Sequence, residues 1–213
     1  SPFDLIVFDE ASQVSRAYAL ALAPLGRRCL FAGDPRQLAP IVQSDHPDAR
    51  AWLGTSMFKH ASIEPRASCL LVEQSRMAET ICRVVSGAFY DGQLVVAEAS
   101  RSNPEWQARR RLASVPPMGD ASVYVHSIAE EGKWSPKYGG NIRQPSALAI
   151  AEMVEALTAD LNQSDILVLT PFRAQRALLR QYLSMRGLRG VSVSTVHRAQ
   201  GSERHTVVFD PVK

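Results

Sequence analysis

The chain has 213 residues, of which 46% are hydrophobic and 21% are charged, and this composition argues against long disordered segments. No apolar run approaches the roughly 20 residues that a membrane-spanning helix needs, so the sequence predicts no such helix. The net charge is only +3, so charge by itself favours no class of binding partner.

The first residues and the cysteines indicate the cellular compartment. The N-terminus lacks the basic and apolar regions of a signal peptide and has no initiator Met, so we expect a fragment or a processed product. Three widely spaced cysteines without a CxxC pair predict neither a disulfide framework nor a zinc site. We therefore expect a reducing, cytoplasmic location. Cys29 and Cys69 lie in apolar runs, where we expect them to be buried.

Apolar runs of strand length alternate with segments of helical spacing. The first half is predicted as a strand over 3–8, a helix over 15–23, a strand over 29–32, a loop to about residue 50, a short helix over 55–60, a strand over 67–72 and a helix over 77–90. The second half is predicted as an irregular Arg-rich segment near 98–119, a strand over 123–125, a loop over 130–144, a helix over 146–161, a strand over 166–169, a helix over 173–185 and strands over 191–193 and 206–209. This alternation predicts an α/β fold of parallel sheets flanked by helices.

Polar residues follow the first two predicted strands. Asp9 and Glu10 end the run LIVFDEAS, and Gln37 lies in GDPRQLAP after the next strand. The carboxyl edge of a parallel sheet is where ligands bind in such folds. One carboxylate there could hold Mg²⁺ while its neighbour deprotonates a water, and the amide could reach a phosphate oxygen. Each of the two motifs alone is weak evidence for a nucleotide site, because strands often end in acids and Gly-Asp-Pro is a common turn.

Three further junctions carry candidate residues. Arg76 lies in LLVEQSRM, where a guanidinium could stabilise phosphoryl charge, although a lone Arg usually forms a surface salt bridge. LTPFRAQ and STVHRAQGSE add further polar and basic residues. Residues 166–204 contain seven arginines and only one acid, Glu203, which favours contact with phosphates. For Arg176, Arg180 and Arg186 we favour the simpler interpretation of a solvated helix face.

Taken in order, DEAS, GDPRQL, EQSRM, TPFRAQ and TVHRAQGSE resemble the motifs of superfamily 1 helicases. They are most similar to the branch containing the nonsense-mediated-decay RNA helicase and its bacterial relatives. The resemblance covers nearly the whole chain. It implies two RecA-like domains of P-loop NTPase type, with ATP in the cleft between them and single-stranded DNA or RNA across their top. Residues 1–64 would be the C-terminal half of the first domain and 65–213 most of the second, so the missing N-terminal half of the first is an implied partner.

The same resemblance implies roles for individual residues. Those implied to contact ATP or Mg²⁺ are Asp9, Gln37, Arg76, Gly201 and Glu203. Asp9 would coordinate the metal, Gln37 would sense the γ-phosphate and Arg76 would act as an arginine finger. Glu10 would be the general base. Those implied at the nucleic-acid backbone are Arg173, Gln175, Thr195 and Gln200.

Two departures from the family pattern affect these expectations. Ser75 stands where the family usually has a Tyr that can stack on adenine. The 213 residues contain no GxxxxGK[ST] phosphate-binding loop. We expect the intact protein to couple ATP hydrolysis to movement on single-stranded nucleic acid, and this chain alone to be a poor ATPase. The alternatives are a catalytically silent helicase-like module that binds nucleic acid or protein, and an ordinary α/β domain with coincidental motifs.

Overall fold

The structure is a computed structural model that describes residues 1–59, 65–111 and 121–212. The chain divides into two units, Ser1–Leu71 and Val72–Lys213. The predicted boundary between residues 64 and 65 adjoins residues 60–64, which lie outside the described part of the chain. The domain assignments 1–64 and 65–213 remain predictions.

The first unit is built on two parallel strands, as the apolar runs predict. β1 (Phe3–Phe8) pairs in parallel with β2 (Gly26–Phe31) along most of its length. The crossover contains α1 (Arg16–Leu22) and a 3₁₀ turn over Ala23–Leu25. The carboxyl ends of both strands therefore lie at the same edge of this sheet.

The core of the first unit is small. Phe8, Ala11 and Ala19 are buried, and the ring of Phe8 stacks on the ring of Phe31 with centroids 4.7 Å apart. Ile6 and Phe31 pack partly against this core, but several other apolar side chains of β1 and β2, such as Val7, are about half exposed. The sheet thus carries apolar surface that residues of this unit leave open to solvent.

The second half of this unit differs from the prediction. α2 (Pro47–Leu53) lies where the sequence predicts a loop, because Pro47 suits the first helical position and the imidazole of His46 accepts a hydrogen bond from the Asp48 amide at 3.3 Å. The short helix predicted over 55–60 is confirmed only in part. A 3₁₀ turn, Met57–Lys59, stands there, and residue 60 lies outside the described residues.

The second unit contains a three-stranded parallel sheet. β7 (Ile166–Thr170) lies in the middle, between β8 (Ser192–Thr195) and β9 (Thr206–Phe209). Two amphipathic helices, α6 (Gln144–Leu157) and α7 (Arg173–Met185), pack on the sheet and on each other. Their buried faces join the central strand in one apolar core, whose larger members are Ile150, Val154, Leu157, Ile166, Val168, Leu178, Leu179 and Leu183. The predicted helix-strand alternation of this region is confirmed.

Shorter elements complete the second unit. They are β3 (Glu73–Gln74), α3 (Glu79–Phe89), β4 (Val95–Val96), α4 (Glu98–Arg101), α5 (Pro104–Ala108), β5 (Lys133–Ser135), β6 (Gly140–Ile142) and α8 (Val196–Ala199). β3 and β4 pair in parallel, whereas β5 and β6 form an antiparallel hairpin. Within the described residues, no helix combines the length and the apolar character that crossing a bilayer requires.

Several local predictions are wrong here. Residues 68–72 and 123–125 form no strand, because neither run pairs along its length with a neighbouring strand. Leu71 and Val125, one from each run, are more than 80% exposed. The loop predicted over 130–144 contains the β5–β6 hairpin, and the irregular segment contains α4 and α5, with residues 112–120 outside the described part. Cys29 and Cys69 are exposed, since little packs over their segments.

A buried polar network fixes one side of the second unit. Asp210, which is 1% exposed, accepts hydrogen bonds from Arg143 at 3.0 Å, from Ser146 Oγ at 2.7 Å and from Gln175 Nε2 at 2.7 Å. The side chain of Arg143 is only 11% exposed. The network connects the residue after β9 to the first turns of α6 and α7. A buried charge is tolerated when paired and hydrogen-bonded, and here it holds three elements in register.

We expect Asp210→Ala to lower the free energy of unfolding by about 3–5 kcal/mol, because it removes the buried carboxylate that accepts hydrogen bonds from Arg143, Ser146 and Gln175. Glu152→Ala is the control, because exposed Glu152 contacts Arg186 at 3.5 Å while Arg186 keeps Glu155 as a partner; it should cost less than about 1 kcal/mol. Urea unfolding followed by circular dichroism measures both. Equal losses would contradict a structural role for the network.

Candidate active-site and nucleic-acid-binding residues

The two predicted catalytic carboxylates follow β1 directly. Asp9 Oδ1 accepts a hydrogen bond from the Glu10 amide at 2.9 Å, and both side chains are exposed. Glu10 has a φ of +48°, a left-handed conformation that non-glycine residues rarely adopt and that recurs at functional sites. The turn thus presents two adjacent acids to solvent at the carboxyl edge of the sheet.

Gly33 brings the loop after β2 against this turn. A Cβ atom built on Gly33 would lie 2.7 Å from the Ala11 amide nitrogen and 3.1 Å from the Phe58 ring, so only glycine fits. The Ala11 amide also donates to the Ala32 carbonyl at 2.9 Å. The two strand ends and the loops that leave them are therefore packed closely together.

Asp34 organises the loop that carries Gln37. Its carboxylate accepts from the Arg36 amide at 3.0 Å and from Gln37 Nε2 at 3.2 Å. The Gln37 side chain is exposed, and its carbonyl oxygen points to no partner that the structure records. The structure therefore places Asp9, Glu10 and Gln37 on loops from one edge of a two-stranded sheet.

The donor set at this edge fits Mg²⁺ in one particular way. No cluster of three or more His, Cys, Asp or Glu residues with metal-binding geometry occurs among the described residues. Asp9 keeps one carboxylate oxygen free of the bond to the Glu10 amide. Mg²⁺ commonly takes one or two carboxylates and completes its shell with water and phosphate oxygens. Asp9 therefore suits a metal that arrives with a nucleotide.

In the second unit, Arg76 and Glu203 meet. Arg76 lies in the turn between β3 and α3, and its Nε lies 3.1 Å from Glu203 Oε2. Both side chains are more than half exposed, so the pair itself adds little to stability. The Gln74 side chain supports this turn, because its Oε1 accepts from the amides of Arg76 at 2.8 Å and Met77 at 2.7 Å. Two motifs that are distant in sequence thus place opposite charges side by side.

The other residues of the last motif surround the end of β8. Thr195 ends that strand opposite Thr170. Gln200 Nε2 is buried and has no hydrogen-bond partner among the described residues. Gly201 has a φ of +76°, which allows the turn that leads to Glu203. These residues lie at the carboxyl edge of the larger sheet.

The two residues of α7 that are predicted to contact nucleic acid lie in different environments. Arg173 is exposed at the start of the helix, whereas Gln175 is fully buried. The Gln175 amide donates to Asp210 and to the Arg143 carbonyl at 3.0 Å, and its oxygen accepts from the Arg143 amide at 2.8 Å. The expectation that Gln175 contacts nucleic acid is therefore corrected, because this side chain belongs to the core network.

A basic face, defined by Arg173, Arg176, Arg180 and Arg198, lies beside these elements. The three arginines of α7 follow each other at spacings of three and four residues, which places them on one side of the helix. Burial lowers the pKa of Arg176, and the charges of Arg180, Arg198 and Arg173 lower it further. The interpretation of Arg176, Arg180 and Arg186 as a solvated helix face stays a prediction. Arg198, which comes from a different element, adds its charge near Arg176.

Comparison with known proteins places the whole chain in one family. A family model described as an AAA domain matches residues 53–213, and a second family model with the same description matches residues 1–45. The chain is 29% identical to the DNA polymerase alpha-associated DNA helicase A of Schizosaccharomyces pombe, over 99% of this chain and 32% of that protein. It is also 28% identical to the uncharacterized ATP-dependent helicase MJ0104 of Methanocaldococcus jannaschii, with coverage of 99% and 32%.

This chain belongs to the AAA-domain family of superfamily 1 helicases. A third relative, the DNA-binding protein SMUBP-2 of Rattus norvegicus, is 29% identical over 99% of the chain and 22% of its own length. The helicase chain thus spans about a third or less of the length of these curated relatives. Its parallel sheets flanked by helices are those of a RecA-like helicase domain, as the sequence predicts.

We expect Gly33→Ala to loosen the first unit of the helicase chain, because the added methyl group would press on the Ala11 amide and cost about 1–3 kcal/mol. Amide hydrogen exchange at Ala11 and Ala32 should become faster. Gly87→Ala is the control, since nothing lies within 4 Å of a Cβ at that position in α3, and it should preserve or raise stability. Unchanged exchange in Gly33→Ala would contradict the close approach.

Proposed function

We propose that this helicase domain is part of an enzyme that couples ATP hydrolysis to movement along single-stranded DNA or RNA. The observation that carries the proposal is the common edge of β1 and β2, where Asp9, Glu10 and Gln37 leave adjacent parallel strands. The names of the relatives support it, since they include an ATP-dependent helicase and a DNA helicase. We propose the activity, the substrate and the partners for the whole protein, of which this chain is one part.

In this proposal, the acids of the first unit have separate roles. Asp9 holds Mg²⁺, which when bound neutralises charge on the nucleotide phosphates. Glu10 accepts the proton of the attacking water, and the Gln37 amide orients that water or the γ-phosphate. The left-handed backbone at Glu10, which recurs at functional sites, supports a positioned base.

The second unit contributes charge and the nucleic-acid surface. Arg76 stabilises negative charge on the transferring phosphoryl group, and Glu203 with Gly201 contacts the nucleotide. Thr195 and Gln200 lie at the sheet edge next to the proposed nucleic-acid path. The Gln200 amide, which has no hydrogen-bond partner in the described part of the chain, supports a ligand there. Arg173 begins the basic face on which the phosphate backbone would lie.

The phosphate-binding loop comes from elsewhere in this proposal. The 213 residues contain no GxxxxGK[ST] sequence, and the apolar residues of β1 and β2 remain about half exposed. We propose that the N-terminal half of the first RecA-like domain covers this sheet and supplies the loop, so that the chain by itself hydrolyses ATP poorly. A helicase-like module that only binds nucleic acid or protein is the second candidate, favoured by the missing loop and by Ser75.

Glu10→Gln separates these two candidates. In the intact protein it should reduce nucleic-acid-stimulated ATPase activity by about 10²–10⁴-fold, because it removes the general base and keeps the shape of the side chain. Asp4→Asn is the control, since it changes an exposed acid near the amino end of the same strand. A steady-state phosphate-release assay measures both. An intact protein without ATPase activity would support the binding module.

Changes on the basic face test the nucleic-acid surface. The double variant Arg173→Ala/Arg176→Ala should weaken binding of a single-stranded oligonucleotide and flatten the plot of log K against log salt by about 0.7 for each lost phosphate contact. Arg189→Ala is the control, because Arg189 lies beyond the other end of α7 and hydrogen-bonds Ser184 Oγ at 3.3 Å. Fluorescence anisotropy over a salt series measures both. Equal slopes in all three proteins would overturn the assignment.

A further inference from the structure

The Arg-rich segment after β4 packs against the turn that carries Arg76. Ser100 Oγ donates to Ser75 Oγ at 2.8 Å, and the Trp106 indole Nε1–H donates to the Ser75 carbonyl, also at 2.8 Å. Arg101 attaches the same segment to its surroundings through ion pairs with Glu79 and Glu98. None of the helicase motifs contains these residues, yet they converge on one of them.

Arg110 makes the densest set of contacts. Its Nε donates to the Arg76 carbonyl at 3.1 Å, Nη2 to the Ser75 carbonyl at 2.9 Å and Nη1 to the Trp106 carbonyl at 3.0 Å. Its guanidinium also lies 3.9 Å from the centre of the Trp106 ring. A guanidinium presents its donors in a rigid planar fork, so three carbonyl contacts fix the backbone that supplies them.

The turn is thereby held from two sides. Gln74 binds the amide groups of Arg76 and Met77, while Trp106 and Arg110 bind the carbonyl groups of Ser75 and Arg76. The side chain of Arg76, by contrast, is 72% exposed, and its ion pair within the described part of the chain is with the exposed carboxylate of Glu203. A fixed backbone below an exposed, charged side chain is the arrangement expected where a cation must be presented in a defined place.

The charge environment agrees with this arrangement. Burial lowers the pKa of Arg110, the nearby Glu203 opposes that shift, and Arg109 adds to it. Glu203 therefore lies within the field of both Arg110 and Arg76, although its ion pair is with Arg76.

We propose that Trp106 and Arg110 are positioning residues that clamp the Ser75–Arg76 backbone and so direct the Arg76 guanidinium in the reaction. The inference rests on the proposed role of Arg76 as the group that stabilises phosphoryl charge. Arg110 touches no substrate in this scheme and acts only through Arg76.

Hydrogen exchange of the 213-residue chain tests the clamp without any activity measurement. Arg110→Lys keeps the charge but loses the fork, and Trp106→Phe keeps a ring but loses the indole donor. Both variants should speed exchange of the Arg76 and Met77 amides at least tenfold. Arg109→Ala is the matched control, because the neighbouring Arg109 is exposed and pairs with Glu105. Unchanged exchange in both test variants, or an equal effect of Arg109→Ala, would overturn the clamp.

The ATPase of the intact protein tests the functional half. Arg76→Ala should lower kcat about 10³-fold, and Arg110→Ala about 10–10²-fold with little change in the KM for ATP. In the Arg76→Ala background, Arg110→Ala should cause no further loss, because its effect passes through Arg76. Additive losses would mean that Arg110 acts independently of Arg76 and would overturn the positioning role. An unchanged kcat in Arg76→Ala would instead refute the proposed role of Arg76. The hydrogen-exchange experiment would still test whether Trp106 and Arg110 hold the Ser75–Arg76 backbone.

Discussion

Both units of this helicase domain depend on strands that pair in parallel, because parallel pairing brings the carboxyl ends of neighbouring strands to one edge. In the first unit, β1 and β2 place the turn at Asp9 beside the loop at Gly33. In the second, β7 and β8 end at Thr170 and Thr195, which lie opposite each other. Loops that leave such an edge have few partners of their own, so their shape depends on close backbone contacts and on side chains from other segments.

Polar side chains near these edges have two different uses. Arg173 and Gln175 are two residues apart, yet one faces solvent and the other lies in the core network with Asp210. Helical geometry explains the difference, because residues two apart are rotated by about 200° around the helix axis and so point about 160° apart. The buried partner secures the first turn of α7, and this stable turn presents the exposed arginine.

Arginines illustrate how surroundings decide the use of one side-chain type. Arg143 is buried against a carboxylate and stabilises the fold, whereas Arg110 spends its donors on carbonyl groups and shapes a turn. Arg176 lies among other arginines, where repulsion favours an anionic ligand that would relieve it. Arg76 keeps an exposed guanidinium beside Glu203, which suits a group that must exchange partners during a reaction.

The amino-acid sequence determined the alternation of strands and helices, the strand end that bears Asp9 and Glu10, and the family, because apolar periodicity and short motifs are local signals. It did not determine which apolar runs become strands, since residues 68–72 and 123–125 match the pattern but gain no full-length partner. Nor did it reveal the burial of Gln175 or the contact of Arg110 with the Ser75 carbonyl across 35 residues. Only the tertiary structure decided these, because hydrogen bonds and burial between distant segments depend on which surfaces meet in the folded chain.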